Sequence, residues 1–407
     1  MFPFYPLYID PGTGSALFSI LIGAAATIYF LGRALIIKLK VVLSGGKISK
    51  STGVENPYVI FNEGKQYWNV FKPVLDEFES RGIQVLYLTG TSGDPVFEAG
   101  YQYIKSEFIG EGNRAFARLN MLAADIVLMT TPGLEVYQLK RSNMVKHYAH
   151  ILHSPGDAVT YRLFGIDYFD SILLTGDYQA KDIRTLETLR DLPQKRLVTV
   201  GCTYLDVAIE RIKSIAKEEE HPFTVLISPS WGPSALLSRY GGKLLDPLVK
   251  TGWRIIVRPH PQSRKSENSM LEKLEERYKG ASNLEWDFEG DNIYSLVKSD
   301  IMISDFSGII FDYMFLRDKP VLYVDYDFDL RPYDADDIDH ELWQFKIIKE
   351  AGIELKEEDF MHITEIIENA KDSESLAAAR RKARETAWQY PGEAGKRIFN
   401  FMTGAVT

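Results

Sequence analysis

From residue 57 onward the sequence alternates short apolar runs with helically spaced segments, and it does so in two consecutive series. The runs at 58–61 (YVIF), 85–88 (VLYL), 126–129 (IVLM) and 172–174 (ILL) are continuously apolar, as strands buried on both faces must be. Segments 67–81 and 113–123 carry helical spacing between them, and 197–200 (LVTV) closes the first set. A second set follows at 223–227 (FTVLI), 254–257 (RIIV), 301–303 (IMI) and 320–324 (PVLYV), with helices predicted at 234–251, 266–278, 292–299 and 308–317. Strand–helix alternation of this kind builds parallel sheets wrapped by helices. The expected fold class is therefore α/β, with two facing Rossmann-like, doubly wound parallel-sheet domains at 57–200 and 201–362. The helical tail, 363–407, is expected to pack across both.

The 407 residues suffice for two full cores. A net charge of -9 argues against a chain that wraps nucleic acid, and no nucleic-acid partner is expected. The single cysteine, Cys202, excludes an intramolecular disulfide and an all-cysteine metal site. Nothing in the sequence fixes the oligomeric state.

Ahead of the two series, 22 residues between Asp10 and Arg33 carry no charge. As a helix they span roughly 33 Å, about the thickness of a bilayer's hydrocarbon core. Arg33, Lys38, Lys40, Lys47 and Lys50 follow the run, whereas Asp10 precedes it. The positive-inside rule then places the N-terminus outside and the remainder in the cytoplasm. We expect a single-pass anchor in the cytoplasmic membrane within 1–43 (helix about 11–43) and a polar linker at 44–56. A core helix or an amphipathic helix lying flat would give the same run.

Ligands of doubly wound sheets bind beyond the carboxyl ends of the strands, so the residues just after each strand are the ones to read. After 301–303 comes Ser304-Asp305-Phe306-Ser307-Gly308, with Ser307 read as the N-cap and Gly308 as the point of close backbone approach. Free amides and the helix dipole there favour a pyrophosphate, and Asp312, one turn on, could take ribose hydroxyls. An ordinary capped helix is the competing reading. After 254–257 comes Arg258-Pro259-His260-Pro261, a stiff turn presenting a guanidinium and an imidazole suited to phosphate oxygens. After 223–227 come Ser228, Ser230 and Trp231, suited to a phosphate or base contact or to a plain turn. In the first series His153 stands where a strand hands over to a loop, placed to act as a base toward an alcohol. His147, His150 and His153 are three apart and diverge if extended, so they do not read as a metal site. The Asp325-x-Asp327 pair has the spacing of metal-dependent sugar transferases but follows the last strand of the second series.

Taken together these elements resemble the CDP-glycerol glycerophosphotransferase family of teichoic-acid primases and polymerases. The similarity covers roughly 145–330. It rests on DNIYSLVKSDIMISDFSGIIFDYMFLRDKPVLYVDYD at 291–327, SPSWG at 228–232, RPHP at 258–261, GCTYLDV at 201–207 and HSPGD at 153–157, in family order. The resemblance implies a GT-B fold, no cofactor and no obligatory metal. It also implies transfer of glycerol phosphate from CDP-glycerol, or a related donor, to a hydroxyl of a membrane-associated acceptor, with release of CMP. His153 would be the acceptor-side base, His260 a second catalytic group, and Arg258, Ser307 and Gly308 the pyrophosphate holders. Ser228, Ser230, Trp231, Asp305 and Asp312 would complete the donor site. The chain departs from the family where polymerases read H-G-T-P-L-K and it reads His153-Ser-Pro-Gly-Asp157. A GT-B glycosyltransferase using a nucleotide sugar, or a non-catalytic membrane scaffold, are the alternatives.

Overall fold

The computed structural model describes residues 56–215, 221–324 and 328–404. The segment read as a membrane anchor, nearly all of the linker, and Asp325 and Asp327 lie outside the described residues. Among the described residues no helix is long and apolar enough to cross a membrane.

Two all-parallel sheets are present. The first contains β1 (Tyr58–Asn62), β2 (Val85–Thr89), β3 (Ile104–Phe108), β4 (Ala123–Met129), β5 (Met144–Ile151), β6 (Ser171–Leu174) and β7 (Arg196–Thr199), in the order β3-β2-β1-β4-β5-β6-β7. The second contains β8 (Thr224–Ile227), β9 (Arg254–Val257), β10 (Leu284–Trp286), β11 (Ile301–Ser304), β12 (Val321–Val324) and β13 (Ile353–Leu355), in the order β10-β9-β8-β11-β12-β13. In each sheet the first strand is central. Val59 lies opposite Leu86 and Val127, and Val225 opposite Ile255 and Ile301. Strand order therefore reverses between β1 and β4, and again between β8 and β11, which opens a crevice at the carboxyl ends of both pairs. Strands β2, β6, β8, β11 and β12 are buried at every residue, because helices cover both faces.

The helices are, in chain order, α1 (Trp68–Ser80), α2 (Asn113–Leu119), α3 (Ala180–Leu189), α4 (Thr203–Ser214), α5 (Leu236–Arg239), α6 (Gly241–Lys250), α7 (Ser263–Ser266), α8 (Asn268–Tyr278), α9 (Ile293–Val297), α10 (Ile309–Arg317), α11 (Trp343–Ala351), α12 (Ile363–Lys371), α13 (Glu374–Ala387) and α14 (Ala394–Met402). The last two carry the chain back to the first lobe. Asp206 on α4 accepts from Trp388 Nε1 (2.9 Å) and from the amides of Gly392 (2.7 Å) and Ala394 (3.2 Å), fixing the turn between α13 and α14. Helix α14 then buries Ile398, Phe399, Phe401 and Met402 in the core formed by α1 and the first sheet. Phe399 meets Phe78 edge-on, with ring centroids 4.8 Å apart. Each such side chain is worth roughly 1.5–3 kcal/mol when fully buried.

The sequence pattern misses β3, β10 and β13 and finds only the last part of β5. All but β5 are edge strands of their sheets, with one side open to water, so IKSEF, LEW and IEL lack the continuous apolar run that marks a central strand. The first half of β5, MVKHY, mixes polar and apolar residues for a similar reason. The helix expected over 234–251 is broken into α5 and α6 at Gly241, whose φ of +31° leaves the helical region.

Gly395 is where α14 touches α1. A Cβ there would stand 2.6 Å from the Pro73 carbonyl oxygen. Gly395→Val is expected to lower stability by about 1–3 kcal/mol through overpacking, read as a drop in the urea midpoint at unchanged slope.

Candidate active site

The crevice holds a cavity of about 580 Å³. Its second-lobe wall is formed by the residues that follow β8, β9 and β11: Ser228, Arg258, His260, Ser307 and Gly308, with Asp312 from α10. Lys65, Gln66 and Asn69, from the turn after β1 and the start of α1, face them from the first lobe. Tyr204, Ala208 and Arg211 of α4 and the turn at 290–293 complete the enclosure. A neighbouring cavity of about 530 Å³ shares His260, Ser307 and Gly308 and adds Ser230, Trp231, Phe306, Phe328 and Tyr333.

The loops at the strand tips are tied together by Asp305, which is fully buried. One carboxylate oxygen accepts from the amides of Ser230 (2.9 Å) and Ser307 (3.1 Å), the other from that of Leu236 (2.9 Å). Burial pushes this carboxyl up, and the amide bonds oppose the shift. Asp305 thus holds the loops in place rather than facing the cavity, of which it is not a lining residue.

Arg258 is buried, and its fork is already engaged. Nη1 donates to Asp287 (2.5 Å) and Nη2 to the Glu289 carbonyl (2.7 Å). Ser295 also donates to Asp287. The guanidinium expected to meet phosphate oxygens is thus already paired within the lobe, as a buried cation must be. Arg211 is likewise paired with Asp291. Lys65 has no ion-pair partner among the described residues, which leaves it as the unneutralised lysine of the cavity wall.

The Gln262 amide donates to His260 Nδ1 (3.1 Å), so the neutral ring carries its proton on Nε2. Burial lowers the pKa of His260, so this neutral form holds near pH 7. Trp231 lies beside it, ring centroids 6.3 Å apart and 46% exposed. Gly308, not Ser307, is the N-cap of α10, and no side chain caps the helix. The Ser307 amide is spent on Asp305, whereas open space lies above Gly308. Tyr204 donates to Asp312 (2.9 Å), and burial raises the Asp312 carboxyl to about 7.

His153 lies just beyond β5 in the first lobe. Its Nδ1 is within hydrogen-bond distance of Thr130 Oγ1 (3.3 Å) and Tyr161 Oη (3.2 Å), and its ring stands 5.2 Å from that of Tyr67. Burial pushes its pKa down to about 4. His153 lines neither cavity; Tyr67, against which it packs, follows Lys65 and Gln66 of the cavity wall. His147 bonds Ser171 Oγ (2.8 Å), while His150 is wedged between Tyr161 and Phe169. Among the described residues no group of His, Cys, Asp or Glu is arranged to hold a metal ion.

Sequence reading misses Lys65 and Gln66, although they follow the first predicted strand and the strand-tip rule applied there would have found them. Tyr204 and Arg211 carry no such signal, because they reach the cavity from a helix running between the sheets.

This architecture, two facing parallel sheets with a cleft at their switch points, is the GT-B class. The wall teichoic acid polymerase TagF, in a structure soaked with CDPG, is 12% identical, with 92% of this chain and 96% of that one covered and a TM-score of 0.59. UDP-GlcNAc 2-epimerase from Neisseria meningitidis, bound to UDP-GlcNAc, is 12% identical over 85% of this chain and 99% of that one, with a TM-score of 0.53. The Methanocaldococcus jannaschii epimerase in complex with UDP-GlcNAc and UDP is 14% identical over the same shares, with a TM-score of 0.52. At these identities the likeness establishes the fold. Among curated proteins none matches this sequence. Residues 238–403 match the CDP-glycerol:poly(glycerophosphate) glycerophosphotransferase family. Over that stretch the chain is similar to a family of glycerophosphotransferases.

Removing the Asp305 carboxylate leaves three loop amides without their acceptor. Asp305→Ala is expected to cost about 3 kcal/mol in urea unfolding, since each buried unsatisfied group costs about 1–3 kcal/mol. His150 is fully buried, neither ring nitrogen has a partner among the described residues, and burial lowers its pKa to about 3. The unfolded chain, with a histidine pKa of about 6.5, then binds a proton that the folded chain refuses. Stability is lost as pH falls below about 6.5, by about 2 kcal/mol at pH 5 from this residue. His150→Phe is expected to flatten that acid limb when urea midpoints are compared at pH 7 and pH 5.

Proposed function

We propose that this enzyme takes a CDP-activated polyol phosphate, CDP-glycerol above all, and transfers glycerol phosphate to a hydroxyl of an acceptor at the membrane surface, releasing CMP. The observation that carries this is the convergence of Arg258, His260, Ser307 and Gly308 on one cavity faced by Lys65 across the crevice. The Gly308 and Ile309 amides at the start of α10 and the Lys65 ammonium offer positive potential to a diphosphate. The Asp287-paired Arg258 stiffens the wall against which it would lie.

In the proposed reaction the acceptor oxygen attacks the phosphorus that bears glycerol, and the bond from that phosphorus to the bridging oxygen breaks. Charge develops on the departing CMP. The Nε2–H of His260 and the amides at the start of α10 stabilise it. His153 takes the acceptor's proton. With its Nδ1–H donated to Tyr161 or Thr130, the Nε2 lone pair is free to do so. A low pKa makes His153 a weak base, and a bound anionic donor shifts it upward by Coulomb attraction. Because His153 lines neither cavity, closure of the lobes must precede proton transfer. The uncharged run at 11–32 and the basic residues after it support a single-pass anchor that would hold the lobes beside a lipid-borne acceptor.

A donor panel tests the substrate. CDP-glycerol is expected to raise the melting temperature and to release CMP, and UDP-GlcNAc to do neither; stabilisation by UDP-GlcNAc alone would move the reading to glycosyl transfer. His153→Ala and His260→Ala are each expected to lose about a hundredfold or more in CMP release while staying folded. Near-normal turnover in either variant removes that histidine from the mechanism.

A further inference from the structure

We infer that the start of α11 is an interlobe latch that positions the His153 loop against the donor helix α10. The N-cap of α11 is Leu342, which has no side chain able to cap. The missing acceptor comes from the other lobe: the Gln344 amide donates to Asp157 Oδ2 (2.8 Å), and the Trp343 amide also faces that carboxylate. The exchange is reciprocal, because the Asp157 amide donates to Gln344 Oε1 (3.3 Å). Asp157 ends the His153-Ser-Pro-Gly-Asp turn, so this pair fixes the loop that carries the acceptor-side histidine.

An aromatic stack runs beside this pair. Phe311, next to Asp312 on α10, stacks on Trp343 with centroids 5.6 Å apart, and Trp343 packs on Tyr178 at 4.3 Å. The Tyr178 hydroxyl reaches the carbonyls of Pro155 (2.8 Å) and Gly156 (2.9 Å). Donor helix, latch and histidine loop are therefore one packed chain of contacts. Asp157, Trp343 and Tyr178 touch no reacting atom in this scheme; they are positioning residues, and their role rests on the proposed part of His153 in transfer.

The test uses the full chain with three readouts: hydrogen exchange over 152–160, CDP-glycerol affinity by calorimetry, and kcat for CMP release. Asp157→Ala is expected to speed exchange over 152–160 and to lower kcat by about tenfold to a hundredfold, with affinity held within about twofold. Asp157→Asn, which keeps an acceptor for the Gln344 amide, is expected to restore both exchange and kcat toward the parent. If Asp157→Ala fails to fold, Tyr178→Phe, which deletes one hydroxyl, is expected to move exchange and kcat the same way. Unchanged exchange in the folded variants overturns the latch, and so does faster exchange with kcat intact. A parent chain that binds no CDP-glycerol would defeat the donor reading instead, and exchange over 152–160 would still decide the latch.

Discussion

A single buried carboxylate underlies the second-lobe wall of the site. Asp305 accepts from amides in the loops after β8 and β11, so the two loops that flank the switch point are held as one surface. Those amides would otherwise be buried donors without acceptors, and the loops could not lie as close to the sheet. The N-terminus of α10 and the turn that carries Ser228 and Ser230 take their positions from that surface. What lies on the cavity wall is thus set by a residue that does not itself face the cavity.

The same division between lining and supporting groups runs through the site. Arg258 is charge-compensated by Asp287, and Ser295 orients that carboxylate. Tyr204 holds Asp312. These partners make the wall stiff and largely neutral, so the potential available to an anionic donor comes from helix amides and from Lys65 across the crevice. A site assembled from both lobes changes its field when the lobes move, whereas a site within one lobe would not.

The sequence exposed the central strands and the turns after them, since a strand buried on both faces must be apolar throughout and its tip must change chemistry. That logic reached Ser228, Arg258, His260, Ser307, Gly308 and Asp312, all of which line the cavity. It did not reach edge strands, whose exposure dilutes the pattern, or side chains delivered by α4. Nor could it reveal that Asp305 and Arg258 are internally engaged, because Leu236 and Asp287, their partners, are distant in sequence and the pairing is decided by tertiary packing. The His153 turn stands out in the sequence, but the packing of His153 against Tyr67 and the bonds from Asp157 to Gln344 of α11 are properties of the folded lobes.

The path of the C-terminus has a consequence for how the molecule is made. Ile398, Phe399, Phe401 and Met402 belong to the core of the first lobe, between α1 and the first sheet, although they are the final described helix of the chain. A ribosome that has completed β1 to β7 has therefore synthesised a lobe with an apolar face still uncovered. That face can be covered only after the whole second lobe has emerged, so the amino-terminal half of this protein matures last, and its nascent form presents to chaperones the surface that α14 later occupies.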